Sequence, residues 1–296
     1  MKKKLIIDCD NTFGVAGCDL DDGLAILYAL GADQADLLAV TTTFGNNTLD
    51  VVYPNTIRFM TEIKKSDIPI YRGHEEDAQE NAASRYMIDM ANAYCGKLHI
   101  VSTGSLTNLY HAYLLDPAFF EKIESISLMG GITEDLIIGG KKLDELNFSC
   151  NHEAAYAVLT NGKNISIATG NHCLDALFTR SRFDQLKNSE HTFERWLWTQ
   201  AQYWFEREKN AFGHDGIYKW DVYAAAMLLA PSLFDQNATV ITPDQDSLKT
   251  GNLIGKGSEK NVFLPKLNDT TRYIESVYDA YRQFGKSILD ETFHTI

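Results

Sequence analysis

Two pairs of carboxylates stand close together near the start of the 296-residue chain. Asp8 and Asp10 lie in Leu5-Ile6-Ile7-Asp8-Cys9-Asp10-Asn11-Thr12, and Asp21-Asp22 follow after a short loop. Apolar residues run into Asp8 with no polar alternation, as in a parallel strand buried on both faces whose carboxyl end delivers functional groups to a crevice. Asp21-Asp22 open an apolar helical pattern, Gly23 to Leu30. Asp21 is placed to cap that helix, and Asp22 falls in its first turn, where the macrodipole favours negative charge. Four carboxylates gathered at one strand end and one helix start repel one another, so a hard cation is expected among them. An all-oxygen donor set suits calcium or magnesium. An EF-hand loop does not fit, because Phe13 stands where that loop needs glycine and no helix precedes it.

The rest of the chain supplies elements that could position these groups. Strand patterns are expected at Asp36 to Phe44, Ile68 to Tyr71, Lys97 to Ser102, Ser125 to Met129, Asn164 to Thr169 and Thr239 to Thr242. Helical patterns alternate with them: Leu49 to Lys65 (broken or restarted at Pro54), Ala82 to Tyr94, a helix ending near Leu115, Glu153 to Leu159, Phe183 to Lys209, Asp221 to Ala230 and Ile274 to Phe284. Gly73 to Asn81 reads as an acidic loop, and the stretch from Gly131 to Asn147 as irregular and too long for a mere connector. The aromatic stripe Phe193, Trp196, Trp198, Tyr203, Trp204, Phe205 is expected in the core or at a subunit interface. No linker or repeat divides the chain. The expected fold is a single α/β domain over residues 1–296, a Rossmann-like, mainly parallel sheet flanked by helices.

Composition narrows the function classes. A net charge of −13 argues against nucleic acid or an anionic membrane as partner. Five cysteines with no CxxC spacing read as reduced thiols. The basic start, Met1 to Lys4, is followed by only Leu5-Ile6-Ile7 before Asp8, which is not a signal-peptide pattern, and no apolar run approaches a membrane span. A cytoplasmic protein is expected.

In a parallel sheet, ligands bind beyond the carboxyl ends of the strands. The expected ends are Asp8 and Asp10, Gly45-Asn46, Thr103-Gly104 and Met129-Gly130-Gly131. They carry no phosphate-binding glycine loop and no lysine or arginine, so carboxylates and carboxamides facing sugar hydroxyls are the better match. Asp8-Cys9-Asp10-Asn11-Thr12 also fits the DxDxT signature of haloacid-dehalogenase-type phosphatases, with Asp8 as nucleophile, Asp10 as acid/base and magnesium as cofactor. The downstream lysine and paired-acid motifs of that family are missing.

Six segments in order resemble the calcium-dependent nucleoside hydrolases of the inosine-uridine family along nearly the whole chain. The family's DxDPGxDD is echoed by Asp8-Cys9-Asp10 and Asp21-Asp22, with a longer loop, Asn11 to Leu20, between them. TTxxGN resembles Thr42-Thr43-Phe44-Gly45-Asn46, and TGPLTN resembles Thr103 to Asn108. LMGG is Leu128-Met129-Gly130-Gly131, EFN resembles Glu145-Leu146-Asn147, and HDxxAxA is met by Trp220-Asp221 through Ala226. Gly139-Gly140 stand near the place of the family's asparagine for the 5′ hydroxyl.

The resemblance implies hydrolysis of the N-glycosidic bond of ribonucleosides. It implies calcium held by Asp10, Asp22, the Thr103 carbonyl and Asp221, with Asp10 also acting as general base toward water. It implies that Asp21, Asn46, Met129, Glu145 and Asn147 grip the ribose, and that the chain forms a homodimer or homotetramer. A non-catalytic calcium-dependent nucleoside sensor would use the same pocket. Trp220 stands where many members have a proton-donating histidine. Its indole can stack on a purine but does not titrate near neutral pH, so a purine preference is expected. Tyr86 is the candidate for a second aromatic wall.

Overall fold

The computed structural model describes residues 2–75 and 81–288. In chain order the strands are β1 (Lys3–Cys9), β2 (Ala35–Thr42), β3 (Ile70–Arg72), β4 (Leu98–Ser102), β5 (Ile123–Met129), β6 (Leu136–Ile138), β7 (Lys141–Leu143), β8 (Ile165–Ala168), β9 (Leu177–Thr179), β10 (Gly216–Tyr218), β11 (Ala238–Ile241) and β12 (Lys260–Phe263). Eight of them form one sheet in the order β11-β12-β8-β5-β4-β1-β2-β3, parallel except for the antiparallel edge pair β11 and β12. The chain runs outward from β1 through β2 to β3, then returns to place β4 on the other side of β1. That reversal opens a crevice at the carboxyl ends of β1 and β4, where ligands of such sheets bind.

The longer helices are α1 (Asp21–Gly31), α2 (Leu49–Glu62), α3 (Ala82–Ala93), α4 (Thr107–Leu115), α5 (His152–Asn161), α6 (Thr192–Phe212), α7 (Trp220–Leu229) and α8 (Thr270–Ser287). Both faces of the sheet are covered, and β1 shows how the sequence divides between them. Leu5, Ile7 and Cys9 pack with α1, α6, α7 and α8, whereas Ile6 packs with α3, α4 and α5. A strand turns alternate side chains to opposite faces, so a strand buried on both must be apolar throughout.

The structure revises several local expectations. Leu20, not Asp21, is the N-cap of α1; Asp21 is the first helical residue, and no side chain caps the helix. Helix α2 runs unbroken through Pro54, whose exposed position leaves the freed carbonyl one turn earlier open to water. The helix expected from Phe183 is two pieces: a turn at Arg180–Phe183 continues into a 3-10 turn, and α6 starts only at Thr192. Between them the Ser189 hydroxyl accepts from the His191 backbone N–H at 3.1 Å, a local bond that competes with helix.

The stretch after Gly131 is not irregular, since β6 and β7 form a hairpin across Gly139-Gly140. Both glycines have positive φ, and a Cβ on Gly139 would stand 2.2 Å from the Phe212 carbonyl, so the turn packs tightly on the end of α6. Of the acidic loop expected at Gly73 to Asn81, residues 76–80 lie outside those described. The aromatic stripe is largely absorbed within the chain, because Phe193, Trp196, Trp204 and Phe205 are buried in the core. Its density therefore gives no argument for a subunit interface. Among the described residues no helix is long and apolar enough to cross a membrane.

Candidate active site

Asp8 and Asp10 have different fates although only one residue separates them. Asp8 is still part of β1 and is fully buried. Its strand neighbours in register are Thr41 of β2 and Ser102 of β4. Their hydroxyls donate to it at 2.7 and 3.3 Å, and the Asn108 carboxamide of α4 donates at 2.8 Å. Burial raises its pKa to about 6 against these donors. Asp8 thus ties three elements together beneath the crevice. With both carboxylate oxygens taken by donors of β2, β4 and α4, Asp8 braces the strand ends and does not present a free nucleophile, which argues against the DxDxT reading.

Asp10 lies just past the end of β1, fully buried and close to Asp19 and Asp22. It accepts from the Asn46 backbone N–H at 2.5 Å, and Gly45 and Gly104 leave the room it needs. A Cβ on Gly45 would stand 2.2 Å from its carboxylate. The Asn46 carboxamide nitrogen lies 3.3 Å from Asp10, 3.0 Å from Asp19 and 3.4 Å from Asp22. The Thr103 hydroxyl donates to Asp22 at 2.7 Å. Asp21 and Asp22 occupy the first turn of α1 and Asp221 the first turn of α7, so the N-termini of two helices face one acidic pit.

The fourth partner is therefore Asp19 and not Asp8. Asp19 was missed because it sits in the loop from Asn11 to Leu20, but its spacing of three residues before Asp22 was a visible signal. Carboxylate oxygens of Asp19, Asp21 and Asp22 all lie within 4.8 Å of one another. Burial raises the pKa of every acid in the pit, and repulsion from neighbouring carboxylates adds to it at Asp10, Asp21, Asp22 and Asp221. Asp10 rises to about 7, Asp19 rises, and Asp21, Asp22 and Asp221 are pushed well above the carboxylate range. A buried pit of oxygen donors with this much unrelieved repulsion is the donor chemistry of a hard divalent cation.

Above the pit is a cavity of about 340 Å³, within the size range of small-molecule sites. Asp19, Asp21, Asn46, Thr103 and Asp221 line its floor together with Met129, Glu145 and Asn147. Asn147 donates to the Thr103 carbonyl at 3.0 Å and the Met129 carbonyl at 3.1 Å, joining the ends of β4 and β5. Glu145 is clasped by the backbone N–H groups of Gly131, Phe148 and Ser149 while keeping an edge on the cavity. Those donors oppose the rise in pKa that burial imposes on it.

Trp220 lines the same cavity, half-buried and tilted against Tyr218 at 5.5 Å. Behind it Lys219 is buried with its ammonium 4.1 Å from the Phe178 ring and 4.7 Å from that of Tyr281, an aromatic seat for the start of α7. Tyr86 does not reach the cavity. It stacks on Tyr71 at 4.1 Å, and its hydroxyl donates to the Leu38 carbonyl. The further aromatic lining is instead Trp204 and Phe212 of α6, and Arg207 and Glu208 of that helix and Leu136, Ile138 and Leu143 of the hairpin line the same cavity. Sequence reasoning gave none of these to the site.

This pit at the switch point of a parallel sheet is the architecture of a nucleoside-hydrolase-like α/β protein. A plant nucleoside hydrolase shares the fold with a TM-score of 0.82 at 22% identity, over 95% of this chain and 99% of that one. A purine-preferring ribonucleoside hydrolase from Gardnerella vaginalis shares it at 0.77 and 20% identity, over 96% and 100%. In sequence, the probable uridine nucleosidase 1 of Oryza sativa subsp. japonica is 24% identical over 292 residues, 88% of this chain and 87% of that one. The family model described as inosine-uridine preferring nucleoside hydrolase matches residues 5–277, and the chain belongs to that family. It is accordingly an enzyme, a nucleoside N-ribohydrolase.

Proposed function

We propose that this enzyme prefers purine ribonucleosides and works with calcium, held by Asp10, Asp22, Asp221 and the Thr103 carbonyl. When bound, the cation offsets the repulsion in the pit and makes water a better nucleophile. The ribose lies on the floor, its hydroxyls met by Asp21, Asn46, Glu145, Asn147 and the backbone at Met129. Asp10 takes the proton of the attacking water, and the carboxylates under the sugar stabilise the positive charge that grows as the glycosidic bond lengthens. Assembly as a homodimer or homotetramer is proposed on the family likeness alone.

The observation that carries the purine preference is the aromatic wall. Trp220, Trp204 and Phe212 line one cavity, in place of the Tyr86 wall expected from the sequence. A bicyclic base gains more from stacking between such rings than a pyrimidine does. The test is a steady-state comparison of inosine, adenosine, guanosine, uridine and cytidine. Purines should lead, and Trp220→Ala should lower their kcat/KM by up to roughly tenfold, the worth of one good aromatic contact. Equal or better use of uridine, the nucleoside in the name of the Oryza sativa relative, would overturn the preference and leave the hydrolase assignment standing.

A further inference from the structure

We propose that Glu208 is the acid that protonates the departing base. This rests on the nucleoside-hydrolase reading of the cavity. With the ribose over the acid pit, the base must extend toward the cavity residues outside the pit, which lie on α6, on the segment from Leu136 to Leu146 and at Gly170 and Trp220. Trp204, Glu208 and Phe212 follow one another at one-turn spacing on that helix, and all three line the cavity that Trp220 also lines. Glu208 is therefore the carboxyl set among the rings that would enclose the base. It is only 8% exposed, and among the described residues no lysine or arginine forms an ion pair with it. Burying a carboxyl that has no direct ion pair is costly, and it favours the protonated form that a proton donor needs, although the nearby Arg207 charge works against it. Burial indeed raises its pKa, with the Asp19 charge acting in the same direction and Arg207 opposing. Tyr218 of β10 also faces it.

The step balances. The glycosidic bond breaks with its electron pair moving to the base nitrogen, and that nitrogen takes the proton of Glu208. Water forms the new bond to the anomeric carbon and gives a proton to Asp10. Solvent then returns a proton to Glu208 and removes the one on Asp10, so the sum is nucleoside plus water giving base plus ribose.

The proposal is tested with two substrates on the calcium-loaded enzyme, inosine and p-nitrophenyl β-D-ribofuranoside, whose nitrophenolate departs without a proton. Glu208→Gln should lower kcat for inosine by about 100-fold or more, the usual worth of a general acid, and change kcat for the nitrophenyl riboside by less than about threefold. Equal losses on both substrates, or an unchanged rate on inosine, would overturn the assignment. A second measurement needs no variant: the wild-type loss of kcat/KM toward high pH should be present with inosine and absent with the nitrophenyl riboside, and a shared basic limb would also overturn it. Wild-type enzyme inert toward both substrates would instead refute the hydrolase reading itself, so the two failures are distinguishable.

Discussion

Chelating the cation should make the protein lose stability as pH rises, opposite in sign to ordinary acid denaturation. Asp10 supplies the magnitude. Its pKa is 3.8 when free and about 7 in the fold. Between those values the folded state holds a proton that the unfolded chain has released, so stability is highest at low pH and falls as pH rises through the folded pKa. Integrated from about pH 5 to about pH 8, this one group costs roughly 3 kcal/mol. At about 2 °C per kcal/mol for a chain of this size, the chelated enzyme should melt roughly 6 °C lower at the higher pH. Asp21, Asp22 and Asp221 shift in the same direction and can only deepen the loss. On the proposed calcium assignment the cation binds the ionised pit, so saturating metal at about 1,000 times Kd should return about 4 kcal/mol and flatten the slope. The assay is scanning calorimetry at both pH values, with chelator and with calcium. In chelator, Asp10→Asn should remove much of the wild-type slope. A chelated melting temperature that is flat from about pH 5 to about pH 8, or one that calcium fails to move, would refute the pit as a cation site.

Two further substitutions separate scaffold from site. Asp8→Ala leaves the Thr41, Ser102 and Asn108 donors without their acceptor, so denaturant unfolding should show a loss of about 3 kcal/mol; a neutral result would mean that these bonds do not brace the strand ends. Gly251→Ala would place a Cβ 2.1 Å from the Glu145 carboxylate, at a backbone φ of +69°. Pushing that carboxylate aside should raise KM for nucleosides several-fold while calcium affinity, read by isothermal titration, stays unchanged.

Sequence and structure agree best where one local element determines the outcome. The central strand, the helix opening at Asp21-Asp22 and the motif residues at the ends of β2, β4 and β5 all lie within a few residues of the pattern that announces them. Periodicity and turn residues are local signals, and a strand end in a parallel sheet has a known place. The hairpin was also legible in principle, since Gly139-Gly140 between apolar residues is a two-residue turn signal. Asp8 misled because pleat parity is the same for Asp8 and Asp10, and only the end of pairing after Cys9 releases the second from the sheet.

The base wall was illegible for a different reason. The proposed wall is made by α6, whose Tyr203 is 185 residues from Cys18 in the loop that carries Asp19, and nothing in an aromatic helix says which of its rings will meet the core and which a cavity. Trp204 does both, being buried in the core and present in the cavity lining. The extra loop from Asn11 to Leu20 belongs to the same problem. The Tyr203 hydroxyl of α6 donates to the Cys18 carbonyl at 3.1 Å, one residue before Asp19 joins the pit. The next turn of that helix carries Arg207 and Glu208 into the cavity. The loop that adds an acid to the pit is thus braced by the helix that walls the base, so a change in either shifts both. That coupling is carried by a tertiary contact, and the order of residues along the chain does not encode it.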